Sequence, residues 1–403
     1  MDLLAVDDAL ARVLDQAPRM PSEQVALTQA LDRVTAAPLI ALRTQPPFAA
    51  SAMDGYAVRA EDFQTGKALT VIGEAAAGQG FHAPLAAGQA VRIFTGAPVP
   101  PGADTILLQE HAERNGTHVI PTTDKDRGRH IRPAGLDFTR GDALIPQGVR
   151  LSPSTLALAA AMGHADVSVT RRPKIAILAN GDELVAPGDP CGPDQIVASN
   201  QYAVAAMVEK AGGEPLLLGI AGDDLTLLAE KIHIAQAQHA DILVTLGGAS
   251  VGDRDLIRQV LHDQGMQLGF WKIAMRPGKP LIFGTLGAMR ILGLPGNPVS
   301  SIICAKLFLV PLIKDMLGLP RPADPDIYQA VLGSDMPAND LRQDYVRASL
   351  HRAPDSGQWI ATPFALQDSS MLRIIAQAQA LIIRPPHAPA AAKGTPCQIL
   401  MMD

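Results

Sequence analysis

Apolar positions recur at helical spacing at the start of the chain. Val6, Ala9, Leu10, Val13 and Leu14 share one face, Asp7 and Asp8 fall in the first turn, and Pro18 follows the end. The pattern predicts an amphipathic helix. SEQVALTQALDRV reads as a second short helix with Ser22 as its cap, and Pro46 and Pro47 then break the periodicity. From there to about residue 140 the pattern changes to short β-like runs between glycines: LTVIGEA, AVRIFTG, TILLQEH and HVIPTT. Asn115-Gly116, set between two such runs, predicts a type I′ hairpin. SPSTLALAAAMG returns to helical composition, so a β-rich domain is inserted between helical segments.

Residues 173–318 have another rhythm. The short apolar runs KIAILAN, PLLLGI and DILVTLGG alternate with the helical patterns SNQYAVAAMVEKAGG, DDLTLLAEKIHIAQAQ and DRDLIRQVLHDQG. Alternation of this kind predicts βαβ units and a doubly wound, mainly parallel sheet. Ligands of such sheets bind at the carboxyl ends of the strands. From about residue 326 short strands and turns return, as a separate small β domain.

Length and composition narrow the class. At 403 residues the chain exceeds what one core sustains and should hold two to four domains. With 47% hydrophobic and 18% charged residues it is not a disordered protein. The net charge of −6 and the lack of a long basic run argue against nucleic acid as a partner. Cys191, Cys304 and Cys397 are scattered, with no CxxC pair or disulfide framework, which suits a reducing cytoplasm. The first residues are acidic and unlike a signal peptide, and the strongest apolar run, LFLVPLI, is too short to span a membrane.

Several nucleotide and metal signatures are missing. No GxGxxG follows a strand, neither Gly66-Lys67 nor Gly278-Lys279 continues as a Walker loop, and HExxH is absent. Gly248-Ala249-Ser250-Val251-Gly252 does match a GxSxG nucleophile elbow. The same glycines suit a loop whose backbone N–H groups cradle an anion. A serine hydrolase needs a histidine, and the later ones, His262, His351 and His387, are not in strand-end loops of this sheet. Three other loops follow strand-like runs: Asn180–Glu183, Arg276–Pro280 and Leu294–Ser300. Together they bring glycine, cations and hydroxyls to one end of the sheet, which suits a phosphorylated ligand. Glu183, Asp223 and Asp255 flank these loops. Asp223 and Asp224 can serve as helix caps. Carboxylates beside an anion site also suit a bridging hard cation such as Mg²⁺.

The runs SAMDGYAV, RIFTGAPVPPGAD, NGDELV, LGGASVGDRD, FWKIAMRPGKP and LPGNPVSS, in this order, resemble molybdopterin molybdenumtransferase. That family carries out the last step of molybdenum cofactor synthesis, and its eukaryotic relatives include the C-terminal domain of gephyrin. The resemblance implies an elongated homodimer whose domains are residues 1–26, a helix packing on the α/β domain; 27–45 with 141–172; 46–140; 173–325; and 326–403. It implies that adenylylated molybdopterin and molybdate, with Mg²⁺, give molybdenum cofactor and AMP. Catalytic roles would fall on Asp54, Thr95, Asp137, Glu183, Asp223 and Asp255, with Glu183, Asp223 and Asp255 on the metal. Substrate contacts would fall on Ser250, Lys272, Arg276, Lys279, Asn297, Ser300, Arg347 and Ser369. QDSSML departs from the family's glycine-serine pattern, so Ser370 competes with Ser369. Arg276 stands where lysine is common. Partners implied are the adenylyltransferase that supplies the substrate and the molybdoenzymes that receive the product. The adenylyltransferase itself, with a related α/β domain, and a non-catalytic scaffold are the alternatives. SAMDGYAV and the C-terminal β domain speak against the first, and the lack of an extra partner domain against the second.

Overall fold

The apolar runs of the α/β region form six strands: β1 Lys174–Asn180, β2 Glu214–Ala221, β3 Ile242–Leu246, β4 Gln267–Trp271, β5 Ile282–Leu286 and β6 Met289–Leu294. This computed structural model describes residues 3–248, 256–320 and 327–402. The strands lie in the order β2-β1-β3-β6-β5-β4. β2, β1, β3 and β6 are parallel neighbours, while β5 runs antiparallel to β6 and β4. β1, β3 and β6 are buried nearly throughout, which explains why their sequences show no polar alternation.

Helices α2 Asn200–Ala211, α3 Leu225–Ala237 and α4 Leu256–Asp263 connect the strands. Ala176 and Leu178 of β1 share one core cluster with Leu228 and Ile232 of α3 and with Ile257 and Leu261 of α4. Ile175 and Ile177, equally buried, face the other side of the pleat. After β6 comes α5 Pro298–Cys304, which runs through a π-helical stretch, Ala305–Leu309, into α6 Val310–Met316. The N-terminal helix, α1 Val6–Leu14, contacts α6 and the π-helical stretch. Arg290 of β6 donates to its last carbonyls, Val13 at 3.1 Å and Asp15 at 2.8 Å, placing a cation at the negative end of the helix dipole.

Five C-terminal strands close on themselves: β7 Ile327–Leu332, β8 Gln343–Arg352, β9 Trp359–Pro363, β10 Ala380–Arg384 and β11 Pro396–Met401. The order β8-β9-β7-β11-β10 returns to β8, leaving no open edge in the ring. The loop between β4 and β5 joins it, since Met275–Arg276 pairs with Gln343 and Asp344.

All of this, with residues 1–23, belongs to one compact unit; residues 24–169 form a second. Its main sheet has the order Thr105–Leu108, Gly55–Val58, Gln89–Ile93, Leu69–Ala75, His118–Pro121, Ala112–Asn115. The helix Pro153–Met162 is capped by Ser152 and Thr155 in a reciprocal box and stopped by Gly163 at φ +99°. Two local expectations need correction. Ser22 does not cap a helix: Ser22–Ala26 is a strand, followed by a single 3₁₀ turn, Leu27–Gln29. The strand's partner is Asp166–Thr170, a tertiary pairing that overrides the local helical spacing. The hairpin turn falls one residue later, on Gly116-Thr117, because Asn115 already pairs with His118. Among the described residues no helix is long and apolar enough to cross a membrane.

Candidate functional site

β1 has β2 on one side and β3 on the other, so successive connections diverge at its carboxyl end. A crevice opens at such a switch point. Here it is a cavity of about 630 Å³, walled by the loops after β1, β3 and β6. Gly247 follows β3 with φ +100°, and a Cβ there would sit 2.6 Å from the carbonyl oxygen of Asn180. Only glycine lets the ends of β1 and β3 approach so closely. Asn180, 5% exposed, locks the approach: with its amide oriented so that the NH₂ meets the surrounding acceptors, it donates to the carbonyls of Gly247 and Leu246, at 3.1 and 3.3 Å.

Glu183, Asp223, Asn297 and Ser370 line this cavity. Glu183 is exposed and folds back over Gly181. Asp224, not Asp223, caps α3, accepting from the N–H groups of Thr226 and Leu227. Asp182 accepts from the N–H of Asp223 at 2.8 Å, fixing the loop that carries Asp223. Asn200 donates to the carbonyl of Gly296 at 2.6 Å and ties the β6 loop to the start of α2. Asn180 and Asp182 fall in a loop singled out in the sequence, but their roles, like that of Asn200, depend on loops that meet only in the fold.

The C-terminal barrel reaches the same cavity through residues 367–370. Asn297 donates to the Ser369 hydroxyl at 3.0 Å, and the N–H of Val299 donates to the Ser369 carbonyl at 3.0 Å. Ser370 lines the cavity, and its hydroxyl donates to Asp368 at 2.6 Å. Behind this loop lies Arg347, 2% exposed, which donates to the Asp368 carbonyl. Burial lowers the Arg347 pKa, against the pull of Asp344 and Asp368. Gln367 clamps the Arg347 backbone by accepting from its N–H and donating to its carbonyl, both at 3.0 Å. Ser300 is buried in the first turn of α5.

The three cations lie on the hairpin between β4 and β5. Lys272 donates its N–H to the Leu281 carbonyl, and Pro280, next to exposed Lys279, lines the cavity. Arg276 has its guanidinium engaged by Asp344 at 2.6 Å, Asn339 at 3.1 Å and Asp340 at 3.2 Å. The bond to Asp344 raises its pKa further. Ser250 and Asp255 lie outside the described residues. Among the described residues no histidine lines the cavity, which gives the hydrolase alternative no general base among them.

In the second unit, Asp54 and Thr95 meet. One Asp54 oxygen accepts both the N–H and the hydroxyl of Thr95, each at 2.7 Å. These two bonds, with a smaller contribution from Arg92, hold the Asp54 pKa below the usual carboxylate value. Asp137 stands on another loop, exposed, with its N–H on the Gln45 carbonyl.

Among the described residues no three His, Cys, Asp or Glu side chains are grouped to hold a metal ion. Glu183 and Asp223 nevertheless offer the cavity hard oxygen donors. Mg²⁺ is commonly held by one or two carboxylates, with substrate phosphate and water completing its shell, and this donor set fits that mode.

Comparison with known proteins extends over nearly the whole chain. Residues 4–163 match the MoeA N-terminal region (domain I and II), 176–315 a probable molybdopterin binding domain, and 329–402 the MoeA C-terminal region (domain IV). A molybdopterin molybdenumtransferase from Nostoc is 38% identical, covering 86% of this chain and 82% of its own length. One from Haemophilus influenzae is 34% identical, covering 94% of each. The crystal structure of a molybdopterin biosynthesis MoeA protein from Pyrococcus horikoshii superposes with a TM-score of 0.85 at 29% identity, covering 100% of both chains. With three consecutive domain matches and relatives this similar along their length, the chain belongs to the molybdopterin molybdenumtransferase family.

Proposed function

We propose that the chain transfers molybdenum from molybdate into adenylylated molybdopterin and releases AMP, as a transferase of molybdenum cofactor biosynthesis. The supporting observation is the cavity at the carboxyl ends of β1, β3 and β6, whose lining includes the carboxylate residues Glu183 and Asp223 and, from the barrel loop, Ser370. It combines donors for a hard cation with polar groups for an oxyanion, and the substrate's own dithiolene removes any need for a cysteine ligand.

In this reading Glu183 and Asp223, with Asp255, would hold Mg²⁺. Mg²⁺ would supply charge neutralisation at the phosphate as the phosphoanhydride breaks. Lys272 and Lys279 attract the tetrahedral oxyanion, and Asn297 and the Ser369-Ser370 segment orient it through hydrogen bonds. Ser300 and Arg347 support these contacts from α5 and β8, and Ser250 binds substrate. Asp54, kept ionised by Thr95, and Asp137 accept hydrogen bonds or a proton from the reacting groups. The chain acts as a homodimer and exchanges substrate and product with the adenylyltransferase and recipient molybdoenzymes.

Incubation with adenylylated molybdopterin and Mg²⁺ tests the proposal. AMP release that requires molybdate supports it; formation of adenylylated molybdopterin from ATP would make the chain the earlier adenylyltransferase, and inertness would leave a scaffold. For the homodimer, mixing inactive Asp54→Ala and Glu183→Ala chains should restore activity. No recovery in verified heterodimers would refute a site served by two copies.

A further inference from the structure

In a regular strand, neighbouring residues point to opposite faces. Trp271 ends β4, and Lys272, the first residue beyond it, leaves that alternation and turns its side chain back over the ring. Lys272 has φ +78°, a region lysine rarely occupies. The Lys272 ammonium lies 3.8 Å from the centroid of the Trp271 ring. Arg258 of α4 places its guanidinium carbon 4.4 Å from the same centroid. The indole edge is not what holds the ring: Nε1 is buried with no hydrogen-bond partner among the described residues. The ring rests instead on the core cluster shared by β1, α3 and α4. Lys272 thus combines a rarely populated backbone conformation with an ammonium seated on a packed ring, a combination that persists only where the surrounding structure over-determines it.

We propose that Trp271 is a positioning residue for Lys272, holding its ammonium by cation–π attraction so that it meets the oxyanion substrate already localised. The proposal rests on the function proposed above, in which Lys272 attracts molybdate. A free lysine would have to surrender its rotamer freedom on binding; a lysine docked on a rigid ring has already done so. Tryptophan suits this best, because its ring attracts cations more strongly than tyrosine or phenylalanine.

The chain contains two tryptophans, Trp271 and Trp359. Trp359 lies on β9, under Arg352, so Trp359→Phe leaves Trp271 as the sole tryptophan, excited selectively at the red edge where tyrosine does not absorb, without touching the site. Adding Lys272→Met to this background should shift the Trp271 emission; an unchanged spectrum would overturn the contact. Molybdate binding is then followed by equilibrium dialysis. Trp271→Leu should weaken it about five- to tenfold and Trp271→Phe about two- to threefold. In a Lys272→Met background both effects should vanish, as expected if Trp271 acts only through Lys272. An undiminished effect there would mean that the ring is merely structural and would overturn the proposal. Phe at 271 keeps most of the packing, so the comparison survives if Trp271→Leu fails to fold. Absence of molybdate binding by the unaltered protein would overturn the function proposed above and the purpose assigned to Trp271, whereas the emission shift reports on the contact alone.

Discussion

Gly247→Ala tests the geometry on which the cavity depends. Two costs combine at this position. A φ of +100° is unfavourable for any residue with a Cβ, by about 1–2 kcal/mol. The new methyl would also lie 2.6 Å from the carbonyl oxygen of Asn180, a backbone atom that cannot swing aside. Overpacking of that kind adds about 1–3 kcal/mol, for a total near 2–5 kcal/mol. Gly287, in the turn between β5 and β6, is the control: its φ is +59° and a Cβ there meets nothing within 4 Å. Gly287→Ala should therefore lose only the conformational part, about 1–2 kcal/mol. Urea unfolding of both variants gives the comparison, provided the slopes agree. Because the alanine pushes apart the strand ends that Asn180 ties together, Gly247→Ala should also raise the substrate concentration needed for half-maximal AMP release, whereas Gly287→Ala should not. If Gly247→Ala is no less stable than Gly287→Ala, the close approach of β1 and β3 is not as described.

Other substitutions probe separate parts of the molecule. Thr95→Val removes the hydroxyl donor from Asp54, so the Asp54 pKa should rise toward 3.8 and the acid limb of the pH–activity profile should move to higher pH; an unmoved limb would exclude the ionised Asp54 from the rate-determining chemistry. Asp126, 2% exposed, accepts from the N–H of Leu108 at 3.0 Å, His111 at 2.9 Å and His130 at 3.2 Å. Burial pushes its pKa up, but those bonds outweigh it and keep the carboxyl below its ordinary 3.8. Asp126→Asn should cost about 1–3 kcal/mol at neutral pH, and the difference should shrink as pH falls below about 4 through the lowered pKa; a penalty independent of pH would refute the charged network. Arg276→Ala should leave Asp344 without its partner and lower stability by about 1 kcal/mol, discounted for partial exposure. Because Asp344 and Asp340 already occupy the guanidinium, molybdate half-saturation should rise less than tenfold, and a hundredfold rise would make Arg276 a direct oxyanion ligand.

The doubly wound domain was legible in the sequence because buried parallel strands are continuous apolar runs and a helix such as α2 ends in glycine. KIAILAN became β1 intact, and Gly212 stops α2 at φ +102°. The carboxylates on the loops after these strands were legible for the same reason, since a strand end followed by NGDE has few places to go. What escaped were features set by distant partners. Ser22–Ala26 has helical spacing but is claimed by a strand far along the chain. Arg276 read as one of three clustered cations, yet the carboxylates that engage it arrive from the barrel, 64 and 68 residues later. The choice between Ser369 and Ser370 could not be made from QDSSML alone. In the fold their tasks differ: Ser369 bonds Asn297 and Val299, while Ser370 lines the cavity.

That division of labour bears on how such a site can be assembled from two domains. At the cavity the carboxylates and the glycine loops come from the α/β sheet, on strand ends whose burial makes them rigid. Hydroxyls come from a barrel loop, and a loop presents them accurately only if it is itself held. Asp368 folds the loop on Ser370, Gln367 fixes it to the backbone of β8, and Ser369 seats it on the start of α5. Each bond is modest, about 1 kcal/mol net. Their value lies in removing the freedom of the serine that faces the cavity. The structure thereby places the carboxylates that can hold a cation on the α/β strand ends and the hydroxyls that can orient an anion on the barrel loop, and joins the two through the bonds of Ser369 to Asn297 and Val299.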